Sequence, residues 1–405
     1  YLKAALIIAV LFIYQFTYSQ KIPQSKIDEL TGKLDSICLP LKNAGIKVSC
    51  KVLHADFNKE LYNLDPEMSM IPASITKIVT GATAFAKLGA NYSIPTIAYT
   101  DDNDIKDGVI NGNLYLKGYG DPDLNSGDLQ TLAEEITKRG IKEITGNIVA
   151  DESYFDSKYY GLSGVYKGDT GPSYWPYVSA LCLDKSTGCI SAGNTLSSAL
   201  SGLGVSVQGT VISGVTPTGV KEVSQVSHSI YDVLSYMLKE SDNHSAITIF
   251  KLLGAKFKST PAGLEDGQEV INSFLGELGI DRYSFEILEG SGLTRYNKVT
   301  AEMYIKILKY MYDDRFTFDY FMNSLSIAGK DGTLRKRMIG TSGEGNVYAK
   351  TGTINSVSAL SGYVIDKDSE ILIFYIVMNG FGGNANEMRA AQDDVAVTLA
   401  DFSRN

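Results

Sequence analysis

The order of the helix and strand patterns constrains the fold of this chain more than any other feature. One strand pattern, IKVSCKVLHA, lies near the start, and three follow one another near the end: NVYAKTG, SVSALSGYVID and EILIFYIVMNG. Between them run four helix patterns, SIYDVLSYMLKE, SAITIFKLLGAKF, GQEVINSFLGELG and TAEMYIKILKYMYD. Early and late strands separated by helices predict one sheet built by both chain ends, in a fold of the α/β (α+β) class.

The stretch from 98 to 220 differs in composition from its surroundings. It is rich in Gly, Asp, Ser and Thr and holds short strand patterns (NLYLKG, EITGNIVAD, VSVQGTVISG) with one long helix pattern, GDLQTLAEEITKRG. A chain of 405 residues is long enough for two domains. We therefore expect a smaller inserted domain at 98–220, between two parts of the main domain at 21–97 and 221–405.

The first 20 residues resemble a secretory signal peptide. One lysine precedes an apolar stretch from Ala4 to Phe16, which is short for a membrane span, and small and polar residues follow. We expect export to the periplasm or cell envelope, with cleavage near 17–20. The alternative is an uncleaved anchor that keeps the protein at the membrane.

Charge and cysteine content narrow the classes of function. A net charge of −9 and the absence of a Lys/Arg run argue against a nucleic-acid partner. Export permits disulfides, and the simplest pairing is Cys38–Cys50 with Cys182–Cys189; four buried free thiols are the alternative. The cysteine spacing does not resemble a zinc site, and we expect neither a metal nor an organic cofactor.

The segment PASITKIV, residues 72–79, opens a long apolar helix pattern and contains a candidate nucleophile. Ser74 precedes Lys77 by three positions, so on a helix the two side chains share a face. A serine needs a base, and Lys77 serves as one near neutral pH only if its pKa falls by roughly 3 units, about 4 kcal/mol. Burial and a second cation lower the pKa of a lysine.

Two further short motifs follow in order along the chain. SDN places Ser241, Asp242 and Asn243 between two helix patterns, and KTG places Lys350 and its neighbours at the end of a strand pattern. Alone, SDN is an ordinary helix cap and KTG an ordinary strand-to-turn sequence. Together with SxxK they form the signature of penicillin-binding proteins and serine β-lactamases.

On these motifs the chain resembles the class C low-molecular-mass penicillin-binding proteins, the D-Ala-D-Ala carboxypeptidase/endopeptidases. The stretches GYGDPDL, ITGNIVADESYF, EGSGLTRYN and AGKDGTL also match that family, so the resemblance covers nearly the whole mature chain. It implies a β-lactamase/transpeptidase-like three-layer helix/sheet/helix catalytic domain with an inserted domain. The 163 residues between Lys77 and Ser241 are few for the two nested inserts usual in the family, so roles of the inner insert are in doubt here.

The resemblance implies a role for each motif residue. Ser74 is expected as nucleophile, Lys77 as its base, Ser241 as proton relay to the departing D-alanine, and Asn243 as the residue that binds the substrate amide and holds the lysine. Lys350 supplies positive charge for the terminal carboxylate and helps to lower the pKa of Lys77. The rest of the KTG segment is expected to bind substrate, through the hydroxyls of two residues on one strand face and through backbone groups, with the Ser74 and Thr353 N–H groups as oxyanion hole: Thr351, Gly352 and Thr353.

Two positions outside the three motifs also match family substrate contacts. Asp151 and Arg295 correspond to residues near the side chain of the stem-peptide diamino acid; the alternatives are a turn residue and a structural ion pair. The three histidines are expected to be structural: His54, His228 and His244.

The resulting hypothesis is a serine DD-peptidase whose partners are peptidoglycan stem peptides, with β-lactams as acylating inhibitors. A serine β-lactamase is the first alternative, but its water-activating glutamate usually follows SDN, whereas EITGN at 143–147 precedes it and has a strand-and-turn pattern. A non-catalytic peptidoglycan-binding protein is the second, and it would be expected to have lost a motif. An esterase would have less use for two threonines at KTG.

Overall fold

The computed structural model describes residues 22–383 and 385–405, so the predicted signal peptide lies outside the described residues. Within that part of the chain there are ten α-helices: α1 Gln24–Asn43, α2 Thr76–Leu88, α3 Ser126–Lys138, α4 Cys189–Gly202, α5 Ile230–Lys239, α6 Asn243–Phe257, α7 Leu264–Glu277, α8 Ala301–Asp313, α9 Phe318–Ser324 and α10 Asn386–Ala400. The strands are β1 Lys47–His54, β2 Lys59–Leu64, β3 Ser93–Thr100, β4 Val109–Ile110, β5 Leu114–Gly118, β6 Glu143–Ile144, β7 Ile148–Asp151, β8 Ser206–Val207, β9 Val211–Ser213, β10 Lys221–Ser229, β11 Ser326–Ile327, β12 Val347–Ile354, β13 Val357–Ile365 and β14 Ile371–Asn379.

The main sheet combines strands from both ends of the chain, as predicted. Its order is β11-β12-β13-β14-β1-β2, and each neighbouring pair is antiparallel. The register of β1 on β14 opposes Lys47 to Asn379 and His54 to Leu372. A strand from near residue 50 therefore lies beside one from near residue 375, which closes the domain.

Helices cover both faces of this sheet, which explains why its central strands are apolar without alternation. On β14, Phe374 and Ile376 face a core shared with α1 and α10, whereas Tyr375 and Val377 face the core that contains α2 and α8. Successive side chains of a strand point to opposite faces, so both helix layers pack on one strand. The predicted three-layer helix/sheet/helix domain is confirmed.

The inserted domain has its own sheet and core. A five-stranded sheet runs β10-β3-β5-β7-β9, a three-stranded sheet runs β4-β6-β8, and α3 and α4 pack with them around a third apolar cluster. The first sheet begins at Ser93 and ends at Ser229. The predicted limits of 98 and 220 are therefore a few residues too narrow, because the entry strand β3 and the exit strand β10 pair with each other.

Several elements were not predicted from the sequence, among them one helix and one strand described here. Helix α4 has the sequence CISAGNTLSSALSG, whose Ser, Gly and Thr residues have low helix propensity. It is stabilised by burial of Ala192, Leu196 and Leu200 in the insert core. Strand β2, KELYNL, follows a short turn after β1 and pairs with it at the edge of the sheet.

All four cysteines are free, buried thiols, which agrees with the second of the two alternatives left open above. Cys38 on α1 and Cys50 on β1 lie in the same buried core, where the neighbouring Cys38 thiol and burial raise the pKa of Cys50. Among the described helices, none is both long and apolar enough to cross a bilayer.

Candidate active site

The candidate nucleophile lies in a tight turn before helix α2. Residues Ala73–Ile75 form one turn of 3₁₀ helix, which Pro72 precedes with φ −82°. Ala73 has φ +50°, a backbone conformation that an L residue adopts only at a cost. The chain therefore holds a strained residue directly before Ser74, which is half-buried at the edge of a cleft.

The Lys77 ammonium group is fully buried and has three hydrogen-bond partners. Its Nζ lies 3.2 Å from Ser74 Oγ, 2.7 Å from Asn243 Oδ1 and 2.7 Å from the Ser291 carbonyl oxygen. The predicted SxxK geometry is thus present, with Asn243 holding the lysine. The third partner is Ser291, a residue for which no role was predicted from the sequence.

Burial lowers the pKa of Lys77 from 10.5 to about 8, against the opposing charges of Glu289 and Asp242. Lys350 is also fully buried, and its pKa falls well below the ordinary value because of burial first and the charge of Lys77 second. The expected lowering by burial is therefore present at Lys77. The expected contribution of Lys350 is not among the causes of the Lys77 shift, whereas the charge of Lys77 does lower the pKa of Lys350.

The SDN segment forms the wall of the active site that lies opposite the nucleophile turn. Asp242 caps helix α6 by accepting from the Ser245 N–H at 2.7 Å, which places Asn243 at the first turn of the helix. Ser241 has φ +61°. In the described part of the chain, no hydrogen bond joins the Ser241 hydroxyl to Ser74 or Lys77, so its predicted relay role stays a prediction.

The KTG segment lies on β12 directly against the nucleophile turn. A Cβ atom on Gly352 would lie 2.8 Å from the Pro72 carbonyl oxygen and 3.1 Å from the Ser74 nitrogen, so only glycine permits this approach. Lys350 donates to the Thr351 carbonyl oxygen at 2.8 Å, and the Thr351 hydroxyl donates to Thr333 at 2.8 Å. Glycine at position 352 is therefore explained by the close packing of β12 against the nucleophile turn.

A cleft of about 510 Å³ opens beside these motifs. It brings together four residues that the sequence had predicted as site residues: Ser74, Asn243, Arg295 and Thr353. The remaining lining residues come from the insert and from the ends of nearby loops: Gly168, Asp169, Thr170, Gly171, Tyr174, Leu293, Ile354 and Asn355. A depression of this size and mixed polarity suits a peptide terminus.

One loop of the insert is fastened to the catalytic domain at this cleft. Asp169 accepts from the Thr294 hydroxyl and from the Arg295 N–H, both at 2.7 Å, and Thr170 donates to the Leu293 carbonyl oxygen. The ring of Tyr166 stacks on that of Tyr296 with centroids 4.3 Å apart. The segment 293–296 is thereby held by the insert, although more than 100 residues separate the partners in sequence.

Asp151 does not lie in the cleft, which corrects its predicted role as a substrate-binding residue. It ends β7 in the insert sheet and is fully buried. Its carboxylate accepts from the Ser153 and Thr216 N–H groups, each at 2.8 Å, and pairs with Lys117 at 3.3 Å. Because both carboxylate oxygens accept hydrogen bonds, Asp151 stabilises the turn that follows β7. Arg295, in contrast, lines the cleft and donates to the Asn355 carbonyl oxygen at 2.7 Å.

The histidines have structural surroundings. His228 Nδ1 lies 2.7 Å from Asp121, and this contact raises the pKa of His228 to about 9. Burial lowers the pKa of His244 to about 4. His54 contacts Glu370 at 3.0 Å, and a nearby aspartate, Asp366, brings a third ligand-type atom within 4.8 Å.

That last group is the one set of described residues with the spacing of a metal site. Arg404 donates to both carboxylate oxygens of Glu370, at 2.9 and 2.7 Å, so a cation there would have to displace a guanidinium group. We interpret the group as an ion-pair network that fastens the C-terminus to the β13–β14 turn.

Comparison with known proteins agrees with the geometry. The sequence profile of the D-Ala-D-Ala carboxypeptidase 3 (S13) family matches residues 30–192 and 186–402. The chain is 28% identical to the D-alanyl-D-alanine carboxypeptidase of Actinomadura sp. (strain R39), over 94% of this chain and 86% of the relative. It is 25% identical to D-alanyl-D-alanine carboxypeptidase DacB of Haemophilus influenzae, over 87% of each.

The crystal structure of penicillin binding protein 4 (dacB) from Haemophilus influenzae shares the fold. It matches with a TM-score of 0.78 at 22% identity, over 92% of this chain and 99% of that one. A second crystal structure of that protein, complexed with a β-lactam, matches with a TM-score of 0.69. The chain therefore belongs to the D-Ala-D-Ala carboxypeptidase 3 (S13) family, the penicillin-binding serine DD-peptidases that its three motifs had indicated.

Proposed function

We propose that this protein hydrolyses the D-Ala-D-Ala bond of peptidoglycan stem peptides through an acyl-enzyme on Ser74. The observation that carries the proposal is the buried contact of Lys77 with both Ser74 and Asn243, because it joins two of the three motifs around one potential base. With a pKa of about 8, a useful fraction of Lys77 is neutral near pH 7 to 8.

In acylation, neutral Lys77 accepts the Ser74 hydroxyl proton while Oγ attacks the carbonyl carbon of the penultimate D-alanine. The C–N bond then breaks, and the departing amine of the terminal D-alanine takes a proton that Lys77 supplies through Ser241. In deacylation a water attacks the ester carbonyl, Lys77 accepts its proton, and Ser74 recovers its hydrogen as the C–O bond breaks. Backbone N–H groups of Ser74 and Thr353 stabilise the oxyanion in both steps.

Charge at the cleft suits a substrate that ends in a carboxylate. Lys350, a buried residue of β12, supplies positive potential in its ammonium form, and the side chain of Thr353, which is exposed, is available to the carboxylate. We assign Arg295 to the side chain of the stem peptide, because Arg295 lines the cleft and donates to the Asn355 carbonyl oxygen. We keep Asn243 as the residue that binds the substrate amide.

The glutamate expected for fast β-lactamase deacylation has no counterpart at EITGN. Glu143 lies on β6 in the insert and accepts from Gln208 at 2.6 Å. We therefore propose that the protein is a target of penicillin whose acyl-enzyme hydrolyses slowly. Rapid turnover of a chromogenic β-lactam would instead favour a serine β-lactamase function.

Digestion of purified muropeptides tests the activity. The wild type is expected to release D-alanine from pentapeptides, to cleave D-amino-acid cross-links, or both, and Ser74→Ala is expected to do neither. Absence of both products with the wild type contradicts the proposal. We further propose that the protein is exported to the periplasm or cell envelope, with peripheral membrane association, and that an uncleaved anchor is the alternative; fractionation of cells that express the gene decides between them.

A further inference from the structure

A buried carboxylate behind the active site has no part in the mechanism above. Glu289 is fully buried, and no described Lys, Arg or His forms an ion pair with it. An unpaired buried charge is costly unless several donors surround it. Four N–H donors do so: Glu289 accepts from the backbone of Ser291, Gly292 and Thr294, at 2.7, 2.7 and 3.3 Å, and from the Asn297 amide at 3.4 Å.

These hydrogen bonds to Glu289 fix the conformation of the loop that contacts the proposed base, Lys77. The Ser291 hydroxyl also donates to Glu289, so both the backbone and the side chain of Ser291 are fixed. The Ser291 carbonyl is then left to accept from Lys77 at 2.7 Å. Gly292, at φ +80°, packs so closely that a Cβ atom would lie 1.9 Å from the Ala73 carbonyl oxygen. Glu289 therefore positions a loop in contact with both the base and the nucleophile turn.

We propose that Glu289 is a positioning residue that fixes the Ser291 carbonyl against Lys77 and sets, through its charge, the pH at which the base becomes active. The inference rests on the proposed role of Lys77. Only a carboxylate offers acceptors on both oxygens; the amide of a glutamine would turn an NH₂ group toward backbone N–H donors. The loop geometry thus requires a group that also carries a negative charge beside the lysine.

Three charged groups face Lys77 from the elements packed around it. Glu289 on its loop and Asp242 at the start of α6 both raise the lysine pKa, and Lys350 on β12 is the nearby cation. Burial outweighs the two carboxylates, so the pKa of Lys77 still lies near 8. Removing the Glu289 charge must lower the pKa of Lys77 further, because the ammonium form loses an attractive partner.

The test is the pH dependence of acylation by a fluorescent penicillin. Wild-type acylation is expected to rise with pH through about 8 as Lys77 loses its proton. Glu289→Gln is expected to move this rising limb of the pH–rate profile to lower pH by roughly one unit. It is also expected to lower the acylation rate on the plateau at high pH. Glu289→Asp keeps the charge on a shorter side chain, so the limb stays near the wild-type pH while the rate falls.

Glu286→Gln is the matched control, because it removes the same charge three residues upstream, where Glu286 contacts Gln268 and Arg282. The rising limb of its pH–rate profile should stay at the wild-type pH. If Glu289→Gln slows acylation with the limb unmoved, Glu289 is a structural residue only and the inference is overturned.

Folding of each variant is checked by circular dichroism. If Glu289→Gln does not fold, Ser291→Ala tests the positioning role, since it removes one donor and leaves the charge. Ser291→Ala should slow acylation while the rising limb of the pH–rate profile stays at the wild-type pH. An unchanged acylation rate contradicts the inference. A wild type that is never acylated refutes the proposed function itself, so the two failures are distinguishable.

Discussion

The Nζ atom of Lys77 lies 3.2 Å from the Oγ atom of Ser74, and the lysine ammonium is closed off from solvent. A lysine this buried has a lowered pKa, here about 8, so proton transfer from the serine depends on pH in an accessible range. The sign follows directly: the neutral, active form accumulates as pH rises. Lys77→Arg, which stays charged, should lower the acylation rate by about 10²–10⁴ at pH 8. Stopped-flow acylation of the folded variant checks this, and a rate within tenfold of wild type would exclude Lys77 as the base.

The contact of β12 with the nucleophile turn predicts the effect of a single methyl group. Gly352→Ala places a Cβ atom 2.8 Å from the Pro72 carbonyl oxygen, closer than real Cβ atoms approach backbone. The strand must shift away from Ser74, so the rate of acylation should fall by at least about tenfold. Gly382→Ala, where a Cβ atom meets no atom within 4 Å, is the matched control and should acylate normally. Equal rates for the two variants would show that this close packing has no catalytic importance.

The fastening of the insert loop predicts that a residue remote from Ser74 in sequence affects substrate use. Asp169→Asn leaves one oxygen to serve the Thr294 hydroxyl and the Arg295 N–H, and should loosen segment 293–296. We expect KM for a muropeptide to rise several-fold with a smaller change in kcat, since Arg295 lies at the cleft edge. Ser163→Ala in the same loop is the control. A change confined to the free energy of unfolding would assign Asp169 a role in stability alone.

The His228–Asp121 contact predicts how stability varies with pH. Hydrogen bonding to Asp121 raises the pKa of His228 from 6.5 to about 9, whereas burial raises that of Asp121. The folded state thus binds more protons than the unfolded state between these values, so the histidine contribution is complete below about pH 6.5 and lost as pH rises through 9. His228→Gln should lower the free energy of unfolding by about 1–3 kcal/mol at pH 6 and by much less at pH 9.5. Denaturant titrations at both pH values measure this; an equal loss at both would contradict it.

The sequence was sufficient to predict the sheet and the catalytic motifs because both depend on local patterns. Apolar strand runs and helix periodicity identify the layers, and SxxK is meaningful only when its residues share a helix face. The KTG glycine also has a local signal, although its physical reason, close approach to Pro72, is visible only in three dimensions.

Contacts between distant segments could not be predicted in this way. Asp169 and Thr294 lie 125 positions apart, and although Thr294 lies in EGSGLTRYN, nothing in that segment indicates Asp169 as its partner. The role of Asp151 could not be judged in this way because a matching segment fixes the residue type but not the contacts of its side chain, which accepts from the Ser153 and Thr216 N–H groups. Glu289 lies in EGSGLTRYN, a segment that supported the family resemblance, yet its burial behind Lys77 depends on how the whole domain closes.

Peptide mapping by mass spectrometry after reaction with penicillin tests the central claim most directly. The account predicts one added penicilloyl group per chain, on the peptide that contains Ser74, and none on Ser74→Ala. It also predicts that the adduct persists for minutes or longer, since Glu143 lies on β6 and is not one of the residues that line the cleft. An unmodified wild type, or an adduct on any residue other than Ser74, would contradict the assignment of this serine as the nucleophile.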